Sequence, residues 1–278
     1  MKKIIGVLGA LLLGGFLFAQ KTINDPNAEA RQLSGFHAIK VSNAFDVYIT
    51  QGNTEGVAVS ASKTEYRDKI KTTVENGTLV IRFEDDKKFW KGWNGDKQHL
   101  KAYISVKNLD RLSISGACDV NIEDGIKAEE LTINISGASD LKGKLDVKKL
   151  TVDLSGASDM VINGNASNVN VEASGASDFK AFDLTTDFCD ARASGASSVS
   201  ITVNKELNAS ASGASDVKAY DFTTTNCSVD ASGASSIKIT VNKELSAKLS
   251  GASSVNYKGS AMIRDIKTSG ASSISRKS

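Results

Sequence analysis

The sequence predicts an all-β protein: a right-handed parallel β-helix with coils of about nineteen residues, preceded by an irregular β-rich N-terminal region. The main observation is a motif, Ser-Gly-Ala-(Ser/Cys)-(Asp/Ser), that occurs nine times at spacings of 18 to 21 residues. Apolar and polar residues alternate around it, and aromatic residues make up only 6% of the chain, which suits a thin core. The motif glycines are Gly116, Gly137, Gly156, Gly175, Gly195, Gly213, Gly233, Gly251 and Gly270.

The alternation places one side of each coil in the core. Counting from the motif glycine, positions −6, −4, −2, +4 and +6 are mostly apolar, as in Leu150, Val152, Leu154, Met160 and Ile162. Glycine and the serine at +2 share this inward parity, so we interpret the motif as a bend where only small residues fit inside. The residues at −1, +1 and +3 point outwards. Because so short a strand cannot bury its own face, coils should stack about 4.8 Å apart.

Two other repeat architectures are alternatives. Residues 177–214 align without gaps to 215–252, and this 38-residue period approaches the ~40 residues of a β-propeller blade. Each half already contains a complete motif, which favours the β-helix. A calcium-binding nonapeptide roll requires Gly-Gly-x-Gly-x-Asp, whereas here one glycine recurs every nineteen or so residues.

The N-terminus predicts export. Lys2 and Lys3 are followed by an apolar run from Ile4 to Phe18, and Ala19 precedes the expected cleavage point, so residues 1–19 are assigned to a signal peptide. The apolar run is shorter than the ~20 residues that span a bilayer. We expect the mature chain in the periplasm, at the outer surface or secreted, without a membrane span.

Residues 20–110 differ from the repeat β-helix at 111–278. Asn76-Gly77 predicts a tight hairpin between two strands. The region forms either irregular first coils or a small β-sandwich-like head, and in both cases we expect it to cover one end of the stack, where strand edges would otherwise be unpaired. Its strand-like stretches are 44–50, 56–62, 78–83 and 100–106.

A family resemblance rests on the N-terminal phrase and the repeats. Residues 35–52 (GFHAIKVSNAFDVYITQG), then 74–83 (VENGTLVIRF) and the Ser-Gly-Ala-Ser-Asp repeats, resemble the autotransporter adhesin, head GIN domain family. The resemblance implies an exported protein, mostly found in Bacteroidetes, with a β-helical fold. It implies an adhesin-like role and provides no active site to carry over.

Composition and motifs favour a binding protein over an enzyme. The formal net charge of +2 gives no basis for nucleic-acid binding, and the two histidines, His37 and His99, both lie outside the repeats. We therefore expect a non-catalytic cell-envelope or surface protein that binds a glycan or another surface component. The alternatives are a polysaccharide-processing enzyme and a structural envelope protein that self-associates through its C-terminal coil edge.

Position +3 is the most regular charged feature and provides the first binding candidates. Asp119, Asp140, Asp159 and Asp178 should lie ~5 Å apart, where neighbouring carboxylates repel by about 1 kcal/mol in water. One hypothesis is that Ca²⁺ bridges them, since it prefers oxygen ligands. The alternative, which we favour, is that lysines two residues later offset the charge. These are Lys142, Lys180 and Lys218.

The tryptophans and cysteines complete the candidates. Trp90 and Trp93 lie in a loop between two strands and could stack on sugar rings or cover the core. Cys189 and Cys227 both occupy position −6 but two coils apart, about 10 Å by strand spacing and beyond the ~7 Å that a disulfide allows. Cys118 lies several coils away. We predict three unpaired, buried cysteines, no metal site and no cofactor.

Overall fold

A computed structural model describes residues 17–18, 21–84 and 98–277. It is a β-solenoid of about nine turns with parallel coils about 19 residues apart, which confirms the predicted fold class. The signal-peptide assignment at 1–19 falls almost wholly outside the described residues, and Trp90 and Trp93 fall outside them entirely.

The described residues of the N-terminal part form one short helix and nine strands. The stretches predicted as strands at 44–50, 56–62, 78–83 and 100–106 are strands in the structure. The elements are β1 (Leu17–Phe18), β2 (Lys21–Thr22), β3 (Glu29–Arg31), β4 (Ala38–Val41), β5 (Phe45–Gln51), β6 (Gly56–Ser60), α1 (Thr64–Arg67), β7 (Ile70–Glu75), β8 (Thr78–Phe83) and β9 (Leu100–Val106).

The repeats form the rest of the stack. Each long strand begins three residues after a motif glycine and ends two residues before the next. The bend formed by the motif residues, which we call the glycine corner, therefore separates successive strands. The strands are β10 (Arg111–Ile114), β11 (Asp119–Ile135), β12 (Asp140–Leu154), β13 (Asp159–Ala173), β14 (Asp178–Ala193), β15 (Ser198–Ala211), β16 (Asp216–Ala231), β17 (Ser236–Leu249), β18 (Ser254–Lys258), β19 (Met262–Thr268) and β20 (Ser273–Arg276).

The coils pair in parallel and in register, so each inward position forms a column. Leu150 pairs with Leu131 on one side and with Val169 on the other, and all three are buried. One apolar cluster extends from Phe36 to Tyr257, and its members are mainly Ile, Leu, Val and Ala. The thin core that the low aromatic content predicts is therefore continuous through both parts of the chain.

The corner corrects our interpretation of the motif glycine. The serine at +2 points inward, as in Ser177, and its hydroxyl donates to the carbonyl of Ser174 at 2.8 Å. Gly175 itself is exposed, with φ of +74°, so it does not share the inward parity that we expected. A Cβ on Gly175 would lie 2.5 Å from the carbonyl oxygen of Gly156 in the preceding coil. Glycine is required by the close stacking of backbones and not by a crowded interior.

The carbonyl that excludes a Cβ also holds the coils together. The Gly156 carbonyl accepts a hydrogen bond from the backbone N–H of Ala176 at 2.7 Å, and the Gly175 carbonyl accepts one from Ala196 at 2.8 Å. Equivalent bonds join the other corners as far as Gly251, so these bends satisfy backbone groups along the stack.

The N-terminal region extends this stack. β4 and β5 pair in parallel with β10 and β11 on one side and with β8 and β9 on the other. β7 then pairs antiparallel with β8, and β6 pairs antiparallel with β9 and β3. The hairpin at Asn76-Gly77 is confirmed, with φ of +49° and +74° at its two central residues. These antiparallel strands cover the edges of β8 and β9.

Candidate functional site

The predicted aspartates form one column beside the corners. Parallel register places Asp119 against Asp140, Asp140 against Asp159, and Asp159 against Asp178. Asp46 pairs with Asp119 and adds a fifth carboxylate. We call Asp46, Asp119, Asp140, Asp159 and Asp178 the aspartate strip. Ser198 then interrupts the series before Asp216.

Asp46 was missed at the sequence level because its corner is degenerate. The residues Ser42-Asn43-Ala44-Phe45-Asp46 take the place of the motif, with asparagine in the position of glycine. Asn43 adopts a φ of +83°, and a Cβ on Gly116 would approach its backbone as it would at any other corner. Asparagine tolerates this left-handed conformation better than most residues. Its presence at position 43 was therefore the sequence signal that could have identified this corner.

One of the three predicted lysine partners forms an ion pair with an aspartate of the strip. The Nζ of Lys180 lies 3.0 Å from Oδ2 of Asp178, and the hydrogen bond to Asp178, together with Asp159 and Asp140, raises the pKa of Lys180. Within the described residues, Lys142 and Lys218 form no ion pair, and an offset of the charge by these two lysines stays a prediction. Lys101 pairs in register with Asp46, so a lysine flanks each end of the strip.

The strip does not gather its carboxylates around a point. In the described part of the chain, no three His, Cys, Asp or Glu side chains are grouped as ligands for a metal ion. The carboxylates follow one another along the stack instead, each half-buried or exposed on its own coil. This arrangement favours contact with an extended partner over coordination of one cation.

The column next to the strip begins with two tyrosines. The rings of Tyr48 and Tyr103 stack with centroids 5.2 Å apart. The hydroxyl of Tyr103 donates to Oδ2 of Asp25 at 2.8 Å, and burial together with this carboxylate raises the pKa of Tyr103. Asn121 and Lys142 continue the column on the following coils. The strip is thus bordered by hydrogen-bond donors and one aromatic stack.

A shallow polar groove runs on the other side of the corners. It encloses about 400 Å³ near the N-terminal coils, where its floor is a row of serine hydroxyls at position −1. These hydroxyls make only long contacts with carbonyls of the preceding coil, 3.4 Å from Ser136 to Ile114 for example. Its other lining residues include Lys40, Asn134 and Asp153. The two sides of the corner therefore differ: one is an acidic strip and the other a mixed polar groove.

The cysteines and histidines occupy separate places. Cys118, Cys189 and Cys227 are buried and free in the structure, and burial raises the pKa of Cys227 to about 12, so its thiol is unreactive at neutral pH. His37 is exposed, and its Nδ1 lies 2.8 Å from Asp110. His99 lies before β9, at a φ of +43°. The structure does not bring these histidines to the strip.

A family model described as "Putative auto-transporter adhesin, head GIN domain" matches residues 35–220 and 205–261. A crystal structure described as a putative adhesin from Parabacteroides merdae has a TM-score of 0.65 and 17% identity, covering 90% of this chain and 95% of that one. A putative adhesin from Parabacteroides distasonis has a TM-score of 0.66 and 18% identity, with coverage of 89% and 96%.

A third solved structure, described as a putative lipid binding protein from Parabacteroides distasonis, has a TM-score of 0.58 and 21% identity, covering 91% of this chain and 98% of that one. Similarity at these identities establishes a shared fold. No curated protein matches the chain significantly. Within the described residues, no helix has the length and apolar character needed to cross a bilayer.

Proposed function

The chain belongs to the auto-transporter adhesin, head GIN domain family, and from this membership we propose that it is an exported, non-catalytic binding protein that contacts a surface glycan through the aspartate strip. Membership of an adhesin family suggests an exported or surface protein. The related solved structures are described as adhesins, which suggests a role without catalysis.

The observation that carries the proposal is the in-register repetition of outward groups. Five carboxylates follow one another on adjacent coils, about 4.8 Å apart by strand spacing. A ligand with a repeating structure can therefore meet the same group several times. Several weak contacts on one rigid face then add to a useful affinity.

The chemistry of the strip suits hydroxyl-rich ligands. Ionised carboxylates accept hydrogen bonds from sugar hydroxyls, and Asn121 and Lys142 beside the strip can donate to sugar oxygens. Lys180 orients Asp178 through its ion pair. A linear glycan lying along the stack would use these groups coil by coil, without requiring an enclosed pocket.

The test is a glycan array with residues 20–278 and a variant carrying Asp119→Asn, Asp140→Asn and Asp159→Asn. We expect the wild-type protein to bind a subset of glycans and the variant to lose at least ten-fold in affinity, since three charge-assisted hydrogen bonds are weakened. A charge-matched control replaces three exposed carboxylates on the groove side, Asp153→Asn, Glu172→Gln and Asp230→Asn.

Three outcomes would overturn the proposal. Equal loss in both variants would assign the effect to net charge, and loss in the control alone would assign binding to the groove. New reducing ends released from a bound glycan would identify a polysaccharide-processing enzyme instead.

A further inference from the structure

The C-terminal end of the solenoid has a net positive charge, whereas the coils that carry most of the aspartate strip have a net negative charge. Residues 232–278 contain eight Lys or Arg and two Asp or Glu, whereas residues 119–192 contain seven Lys or Arg and fourteen Asp or Glu. Both carboxylates of the C-terminal segment already have partners: Glu244 lies 2.7 Å from Arg264, and Asp265 lies 3.5 Å from Lys267. The excess of Lys and Arg over Asp and Glu gives this end a net positive charge.

Three of these cations surround one cavity. An open cavity of about 600 Å³ is lined by Lys258, Arg276 and Lys277, together with Asn242, Gly259 and Ser260, and no carboxylate is among its described lining residues. Within the described residues, Arg276 and Lys277 have no acidic partner. A site built from cations, an amide and a hydroxyl fits an anionic oxygen group such as a phosphate.

The walls of this cavity are held by the fold. The backbone N–H of Lys277 donates to the carbonyl of Tyr257 at 2.8 Å, which fixes the end of the last strand. The Ser260 hydroxyl donates to the Asn242 carbonyl at 3.0 Å, and the Ser260 N–H contacts the Asn242 side chain at 3.3 Å. The cations therefore project from an ordered frame.

Exposed apolar side chains follow the cavity-lining residues in sequence. Met262 is 62% exposed and Ile263 is 44% exposed, and they follow Ser260 at the start of β19. β19 pairs only with β17, and β20 only with β18, in the described part of the chain, so the outer edges of both strands face solvent.

We propose that the C-terminal end of the solenoid docks on an anionic lipid bilayer, with Arg276 and Lys277 on headgroup phosphates and with Met262 and Ile263 in the interface. A basic surface with adjacent exposed apolar side chains is the combination that binds such membranes. A second copy meeting this end symmetrically would bring two positive surfaces together, which opposes that contact. The proposal is independent of the aspartate strip, which lies on earlier coils.

The test is co-sedimentation of residues 20–278 with vesicles of phosphatidylglycerol and phosphatidylcholine, compared with phosphatidylcholine alone. We expect binding only to the anionic vesicles, weakening as the salt concentration rises. Arg276→Gln with Lys277→Gln should reduce binding about twenty-five-fold, at roughly five-fold per cation. Met262→Ser with Ile263→Ser should reduce it several-fold at unchanged charge.

The matched control is Lys127→Gln with Lys144→Gln, two exposed lysines of earlier coils, which should leave vesicle binding unchanged. Thermal unfolding of each variant verifies that it is folded. Equal loss in the control, equal binding to neutral vesicles, or capture of free inorganic phosphate without vesicle binding would overturn the proposal. Salt-sensitive self-association without vesicle binding, abolished by Arg276→Gln with Lys277→Gln, would replace the membrane with a second copy. The Arg276→Gln with Lys277→Gln variant should still bind glycans, so the glycan proposal and the membrane proposal can fail separately.

Discussion

The glycine corner and the far side of each coil behave differently. At the glycine corner, the same residues recur and neighbouring coils stay in register from β11 to β17. On the far side, between positions +6 and −7, the register shifts wherever adjacent coils differ in length, for example between Ala181 and Thr185. The far side therefore absorbs the variation of 18 to 21 residues in motif spacing. The residue type and the register are restricted where neighbouring backbones are in contact, and they vary where only side chains are in contact.

The largest effect is expected when a glycine of the corner is replaced, compared with a glycine of the far side. Gly175→Ala should destabilise the protein by about 3 kcal/mol or more, because the left-handed φ is strained and the Cβ meets the carbonyl of Gly156. Gly125→Ala on the far side has a similar φ of +86° but no neighbouring atom closer than 3.4 Å, so it should cost about 1 to 2 kcal/mol. Chemical denaturation measures both, and equal losses would contradict the account of the corner.

An intermediate effect is expected for buried hydroxyls. Ser177→Ala removes the 2.8 Å bond to the carbonyl of Ser174 and should cost about 1 to 2 kcal/mol. Thr186→Val on the far side removes contacts of 3.3 and 3.4 Å and should cost less than about 1 kcal/mol. Thermal unfolding should rank the two variants in this order, and the reverse ranking would show that corner hydroxyls only fill space.

The smallest effect concerns exposed ion pairs. Lys180→Gln should cost under about 1 kcal/mol at neutral pH, because the pair with Asp178 is solvent-screened. Since the folded-state pKa of Lys180 is raised above 10.5, this contribution is present below pH 10.5 and is lost as the pH rises through the raised pKa.

The far-side counterpart has the opposite pH dependence. The Lys205 ammonium holds the pKa of Asp187 below 3.8, so that pair contributes above pH 3.8 and is lost as the pH falls through the lowered value. Denaturation midpoints of Lys180→Gln and Lys205→Gln across pH measure the two windows. Identical pH profiles for the two variants would contradict these assignments.

Much of the candidate site could be predicted because residues close to the glycine corner keep the same register in every coil. The motif spacing aligned Asp119, Asp140, Asp159 and Asp178 correctly, since position +3 follows the corner directly and no register shift intervenes. Asp46 escaped the pattern because Asn43 replaces glycine. The ion pairs were less predictable: Lys142 and Lys180 have the same spacing from an aspartate, but only Lys180 pairs. The ion-pair partner of a flexible, exposed side chain depends on its local surroundings, and the sequence spacing alone does not specify these.

The sequence by itself determined the coil length, the inward columns and the all-β class, because strand periodicity and a recurring small motif are local properties of the chain. Only the tertiary structure decided why glycine is needed at the corner, how β6 and β7 cover the edges of β8 and β9, and that three cations meet at the C-terminal end. These features depend on contacts between coils and between chain segments far apart in sequence, where backbone approach and charge are set by stacking and not by neighbouring residues.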